Sequence, residues 1–444
     1  MNRAVRLRMA LVGAGIAVGL VSVPMMTAAT VAAPAASVGK VCDATKYGAK
    51  GDGVAKDTKA IQEAIDACTA KGGGTVTLSK GIFLSGPIVL KNNVTLDIAG
   101  GAMLLGSPDH ADYPELQVFR APGRQSLISA DHATNIAITG GGVIDGNGDS
   151  WWKEARATPG AGIVGTVVFR PRLVVFNYCH HVRMSGVTVQ NSPSWQIVPY
   201  YSDDIVMRNI KVLAPYPSPN TDAIDPFSSS NIVIDHVFAD VGDDDIAIKS
   251  GEINSPGPDA PSKNITITDC TFEHGHGLSI GSEIAGGAQN IHAERVSFFG
   301  TDQGIRIKAN RDRGNDVSNI SFKDITMNQV KTSILISEYY PKVMPAGPVP
   351  AEPVQRLTPH FHNIRIENVK SVNSPWAGVI VGLPESHVVD IVLKNVNIQA
   401  TKGLQVGYAD VTTDGLIVST TDNSDPVTFG PEGKITEAKT EAKK

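Results

Sequence analysis

From Asn93 onward the chain repeats one pattern of hydrophobic and polar positions. An Asn or Asp opens a run in which Ile or Val alternates with other residues. A glycine or polar turn follows, then a second short run of the same kind. The openings are Asn93-Val-Thr-Leu, Asn135-Ile-Ala-Ile, Asp204-Ile-Val-Met, Asn231-Ile-Val-Ile, Asn264-Ile-Thr-Ile, Asn290-Ile-His-Ala, Asn319-Ile-Ser-Phe and Asn363-Ile-Arg-Ile. From Asp204 to Asn319 successive starts lie 27, 33, 26 and 29 residues apart. A period of two inside each run is the signature of a strand, and β-branched residues favour it. A steady longer period is the signature of a solenoid. Together they predict an all-β fold, a right-handed parallel β-helix with Ile and Val inside and the asparagines stacked at one corner. A β-sandwich would show strands every 8–12 residues and no longer repeat.

One segment breaks the pattern early. Ile61, Ala64, Ile65 and Cys68 fall at i, i+3, i+4 and i+7. They predict a helix from Asp57 to Gly72, started by Asp57 and ended by Gly72. It is expected to cover the N-terminal coil, whose backbone would otherwise be unpaired. The stretch from Pro341 to Pro359 holds six prolines in nineteen residues and reads as a loop thrown out from one coil. Residues 434–444 read as a charged, frayed tail. The single β-helix domain is expected over residues 37–433.

Residues 1–36 read as a secretion signal. Arg3, Arg6 and Arg8 precede an uncharged stretch from Met9 to Val23, and small residues follow. Pro24 and the short run argue against a membrane anchor. Removing this segment takes away three arginines and changes the formal charge from −5 to −8. A secreted, extracellular or periplasmic protein is expected, as a monomer, with no membrane association once the signal is gone. The negative balance argues against nucleic acid. Export permits disulfides. Cys42 and Cys68 flank one small unit and could pair, whereas Cys179 and Cys270 lie in strand-like runs that suit buried thiols. No cysteine or histidine spacing suggests a zinc site.

Residues one coil apart in a solenoid are neighbours, about 4.8 Å apart. Asp243 follows Asn231 by 12 residues, and His276 follows Asn264 by 12. Asp222 precedes Asp243 by 21 residues, Arg306 follows His276 by 30, and Tyr340 follows Arg306 by 34. One side of the solenoid is therefore expected to carry Asp222, Asp243, Asp244, His276, Arg306, Lys308 and Tyr340. Clustered carboxylates raise one another's pKa, and one acid held protonated beside ionised ones is what glycoside hydrolysis requires. Arg306 and Lys308 alternate with Ile305 and Ile307, so both cations share one face. That face suits carboxylates on a substrate. Lys308→Ala is expected to lower turnover rather than stability, as befits an exposed cation. Gly277-Leu-Ser-Ile-Gly281 fits a nucleophile elbow in letters only, because it lies within a repeat strand and no helix pattern follows. The sequons at Asn93, Asn264 and Asn319 all stand at coil starts, where the repeat explains them.

At these residues the sequence resembles the polygalacturonases, glycoside hydrolases of family 28. The matching pieces are Asn220-Thr-Asp-Ala223, Gly242-Asp-Asp-Asp-Ile-Ala-Ile-Lys-Ser-Gly251, Gly275-His-Gly277 and Arg306-Ile-Lys308, in order. Tyr47-Gly-Ala-Lys-Gly-Asp-Gly53 and Leu84-Ser-Gly-Pro87 add to the likeness, which runs from about Val41 to Val418. The resemblance implies inverting hydrolysis of α-1,4-linked galacturonan (the acidic backbone of pectin) without a metal or cofactor. It implies Asp243 as general acid, Asp222 and Asp244 as the pair that activates water, and His276 as the group that tunes the acid. Arg306, Lys308, Tyr340 and Asn220 would bind substrate. Ala223 departs from the usual glycine, and Asp245 from a usual small residue; alternation predicts that Asp245 points away from the cleft. With no extra N-terminal domain visible, cutting within the polymer is expected over cutting from its end. The Pro341–Pro359 loop is the candidate wall for the second mode. Rhamnogalacturonan hydrolase, Ca²⁺-dependent pectate lyase and a non-catalytic pectin-binding β-helix are the rival readings.

Overall fold

The computed structural model describes residues 40–158, 168–345, 347 and 349–438. The segment read as a secretion signal lies outside the described residues. From Val41 the chain winds into a parallel β-helix whose register reproduces the sequence repeat. Ile205 pairs with Ile232, Ile232 with Ile265, Ile265 with Ile291, and Ile291 with Ile320. The series continues through Ile364 to Ile391. Every one of these isoleucines is buried in the lumen. Each contributes roughly 1.5–3 kcal/mol by leaving water. The parallel pairs build faces that run the length of the molecule. In the C-terminal half, strands such as His360–Val381 and Val388–Gly407 run around corners and join adjacent faces.

The corners explain the asparagines. Asn231, Asn264, Asn290, Asn319 and Asn363 all have left-handed backbones, with φ between 52° and 58°. Asn is among the few residues that adopt this conformation readily. Their side chains form a ladder: Asn264 donates to Asn231, Asn290 to Asn264, and Asn319 to Asn290, at 2.9–3.1 Å. Asn264 therefore uses its carboxamide in both directions, as the repeat reading of that sequon requires.

Helix α1 (Thr58–Ala70) sits where the spacing predicts, with Ala60, Ile61, Ala64, Ile65 and Cys68 buried in the main core. Its start differs from expectation. Asp57 makes no side-chain cap; its carboxylate instead accepts the backbone N–H groups of Lys50 and Gly51 and fastens the preceding loop. Cys42 and Cys68 form a disulfide, and Cys179 and Cys270 are buried free thiols. Burial raises the Cys179 thiol to about 11 and the Cys270 thiol to about 12, so both stay protonated and inert.

Two further differences stand out. A second helix, α2 (Asp149–Ala157), buries Trp151, Trp152 and Ala155, with the Trp152 indole donating to the Ser192 carbonyl. Its apolar positions are too few to show a period. The tail is ordered at its start. Gly433–Glu437 is a strand paired with Ala409–Thr413, because Ile435 alternates inward against the core. The chain leaves the solenoid after Ser337 and rejoins it at His360, as the proline-rich loop implies. Among the described residues no helix is long and apolar enough to cross a membrane.

Candidate active site

One face, here the front sheet, is built from short strands including Ile128–Asp131, Val174–Asn177, Ile197–Tyr200, Ile246–Ile248, Leu278–Ile280, Gln303–Lys308 and Thr332–Ser337. Its inward residues are apolar, so the outward ones form columns across the coils. Ile224 bridges to Ile246, and Ile246 pairs with Leu278. That register sets Asp222, Asp244 and His276 side by side in consecutive coils. The Ala223 N–H donates to the Asp244 carbonyl at 2.9 Å, and the His276 N–H to the Asp243 carbonyl at 2.8 Å. Ala223 takes this place with an ordinary backbone conformation, so the usual glycine is not required.

The acids have distinct surroundings. Asp244 is buried and holds two cations: Arg306 Nη1 lies 3.0 Å from Oδ1 and Lys308 Nζ 2.8 Å from Oδ2. The Ser279 hydroxyl donates to Oδ1 at 2.8 Å. Burial works to raise this carboxyl, but Lys308 and Arg306 outweigh it and keep its pKa well below the usual range. Asp222 is equally buried, and burial, with Asp225 and Asp243 nearby, raises it well above that range. Its Oδ1 is buried and receives no hydrogen bond from a donor among the described residues. Asp243 is partly exposed between His276 Nδ1 at 3.1 Å and the Asn220 amide at 3.5 Å. His276 resists its own burial through the hydrogen bond and charge of Asp243, which raise its pKa. The ring thus stays cationic beside the acids over a wider pH range. The Tyr340 ring faces Lys308 at 5.3 Å and Arg306 at 6.0 Å. Tyr339 instead packs beside Leu335, Val379 and Val381.

All eight residues singled out in the sequence meet on this face. One expectation fails: Lys308 is not an exposed cation, being only 4% exposed and committed to Asp244. Asp245 turns inward, fully buried, and accepts the Gly277 N–H at 3.0 Å. Ser279, in the decoy motif, lies mid-strand and serves Asp244.

Sequence reasoning missed several members. Lys249 reaches Glu283 at 3.4 Å, Asp222 at 3.9 Å and Asp225 at 4.0 Å. Burial opposes its charge, but Glu283, Asp222 and Asp225 hold it protonated. Its alternation with Ile246 and Ile248 was the available signal. Asp225 directly follows the inward Ile224, so alternation turns it outward toward Lys249. Arg170 donates to Asn220 at 2.7 Å and to two proline carbonyls, and nothing in its surroundings in sequence marks it. Asp243, Asp244 and His276 bring ligand atoms within 4.8 Å of one another, close enough for a metal. Asp244, however, already has both oxygens committed to cationic side chains, so these residues fit a metal poorly.

The arrangement offers an accessible acid, a pinned carboxylate, and a buried carboxyl whose pKa is raised. Two carboxyl groups of unlike character are the chemical requirement of glycoside hydrolysis. The comparisons agree. The sequence profile of glycosyl hydrolases family 28 matches residues 68–418. A Vitis vinifera protein named "Probable polygalacturonase" is 30% identical over 387 residues, covering 83% of this chain and 77% of its own length. The endo-polygalacturonase of Pectobacterium carotovorum subsp. carotovorum is 29% identical over 368 residues, covering 79% and 86%. The crystal structure of an exopolygalacturonase from Thermotoga maritima superposes with a TM-score of 0.74 at 27% identity, covering 86% of this chain and 92% of that one. With this profile match spanning most of the parallel β-helix, the chain belongs to family 28 of the glycosyl hydrolases.

Proposed function

We propose that this glycoside hydrolase cleaves α-1,4-galacturonosyl linkages of polygalacturonan by inversion, outside the cell. The observation that carries the reading is the Asp222–Asp243–Asp244 cluster with its two flanking cations, on a chain whose relatives are named polygalacturonases. Asp243, the accessible member, gives its proton to the glycosidic oxygen as the C1–O bond breaks. A water held at Asp222 and Asp244 adds its oxygen to C1 from the opposite face and loses one proton to that pair. The pair then releases that proton to solvent and Asp243 takes one up, which restores both. Lys308 and Arg306 keep Asp244 ionised, and Arg306 with Tyr340 borders the space a sugar carboxylate would fill. The arginine-led, apolar N-terminal segment and the Cys42–Cys68 disulfide support export.

The test is stereochemical. Polygalacturonate incubated with enzyme inside an NMR tube is expected to yield β-configured reducing ends before mutarotation, with chelator present throughout. Asp243→Asn should abolish nearly all turnover and retain polygalacturonate binding, since the amide keeps size but lacks the proton. α-Anomers appearing first would overturn the inverting roles. Unsaturated products lost on chelation would point to a lyase instead.

A further inference from the structure

The two ends of the front-sheet cleft are built differently. At the N-terminal end a hairpin lies across it. Glu115–Val118 pairs antiparallel with Ala121–Arg124, and the turn residues Phe119 and Arg120 are both left-handed, at φ 54° and 73°. The hairpin's base is fixed on one edge by Arg124, which donates to the carbonyls of Phe169, His110 and Tyr113. Its tip is fixed on the other edge. Arg120 donates to the Tyr201 hydroxyl at 3.0 Å and pairs at 3.1 Å with Asp259, whose side chain is fully buried. Between base and tip, Phe119 stacks on Tyr200 at 4.0 Å. Arg172 is sandwiched between Phe119 at 4.2 Å and Trp195 at 4.4 Å.

Register fixes where this barrier stands. Ile197 bridges to Ile224, so Trp195 lies one coil before Asp222 in the same column. Phe119 therefore covers the coil next to Asp222, and only about 5–10 Å, one to two coils, separates it from the acids. That is room for a terminal sugar or two and not for a continuing chain.

At the opposite end Val343 and Met344 of the proline-rich loop pack over Leu335 and Val379, and among the described residues a groove remains beside them. The column of His276 continues through Gln303, Thr332, Trp376 and Lys402. Lys331, Trp376 and Lys402 line an open groove of about 600 Å³, whose far rim turns acidic at Asp422 and Asp425. Lys331 is paired with Asp302 at 2.5 Å, so Trp376 with Lys402 is the aromatic platform and cation that suit a sugar chain carrying carboxylates.

We propose that the hairpin is an end-stop. The cleft takes one terminus of an acidic polysaccharide against Phe119 and Arg172, and leads the rest of the chain past His276 and Lys331 onto Trp376 and Lys402. It then releases short products from that terminus, in place of the mid-chain cutting expected from the sequence. The inference rests on the hydrolase reading above, and product size tests it separately. At early conversion of polygalacturonate, wild-type enzyme is expected to release mono- and digalacturonate while viscosity barely falls. A ladder of long oligomers with rapid viscosity loss would overturn the end-stop. Phe119→Ala combined with Arg120→Ala is expected to give longer oligomers and about tenfold more viscosity loss per bond cut; an unchanged product pattern from folded protein would refute the barrier. Trp376→Ala is expected to raise KM about tenfold on polymer and leave trigalacturonate unaffected, because the trimer cannot reach it. An equal change on both substrates would remove Trp376 from the binding path. No reducing ends from polygalacturonate would instead sink the substrate reading, and the same sizing on rhamnogalacturonan would still decide the end-stop.

Discussion

At the scale of single residues, burial decides what each charge does. Lys308 occupies an outward position in its strand yet is almost fully covered, with its ammonium spent on Asp244. Lys308→Ala would leave a buried carboxylate with Arg306 and Ser279 as its remaining partners. Breaking one side of a buried pair costs about 3 kcal/mol or more. The variant should therefore lose both thermal stability and turnover; a melting temperature within a degree or so of wild type would show that Asp244 is not held this way. Asp245 presents the reverse case. Burial raises its pKa well above the usual carboxylate range, and Asp244 adds to the effect. A raised acid favours the folded state at low pH. Its contribution declines as pH climbs above the unfolded value near 3.9 and is lost through the folded value. Asp245→Asn keeps an acceptor for the Gly277 N–H and removes the titration. Its unfolding midpoint should fall less than wild type between pH 5 and pH 8, as followed by circular dichroism. Parallel midpoint curves would exclude this burial cost.

At the scale of elements, the repeat was legible because two signals coincided. The inward isoleucines set the register, and the asparagines marked the corners where a left-handed residue is needed. Asn290 tests the second signal. Asn290→Ala loses two ladder bonds and forces a Cβ-bearing residue without a polar side chain to hold φ near 56°. Such a backbone costs roughly 1–2 kcal/mol and each lost bond about 1 kcal/mol. Asn290→Gly loses the same bonds but tolerates the backbone. Denaturant midpoints should therefore rank wild type above Gly above Ala, and an Ala variant equal to Gly would dismiss the conformational part. Helix α2 was not legible, because its anchor is an indole bonded to Ser192 some forty residues on, and no local period announces such a contact. The acid cluster could be read from offsets near one coil. Arg172 and Trp195 were not read, because although Trp195 stands 27 residues before Asp222, the same step as Asp204 to Asn231, neither lies in a motif that draws attention to that offset. Lys249 lay within a motif already recognised. Only the register showed that its side chain reaches Asp222, Asp225 and Glu283 together.

At the scale of the whole molecule, the stacking of coils separates support from selectivity. The lumen and corner ladders carry the stability, while the features that shape the cleft are excursions between strands. The hairpin at Phe119 and the loop holding Asp259 belong to coils far apart in sequence, and one buried carboxylate ties them, with Arg356 at 3.6 Å adding the proline-rich loop. If that barrier admits only termini, the quantity that sets the rate is the number of polymer ends, not the mass of polymer. A gram of long pectic chains would then be a dilute substrate and a gram of fragments a concentrated one. The enzyme would be slowest on intact material, and its pace would follow any activity that severs chains internally and so multiplies their ends.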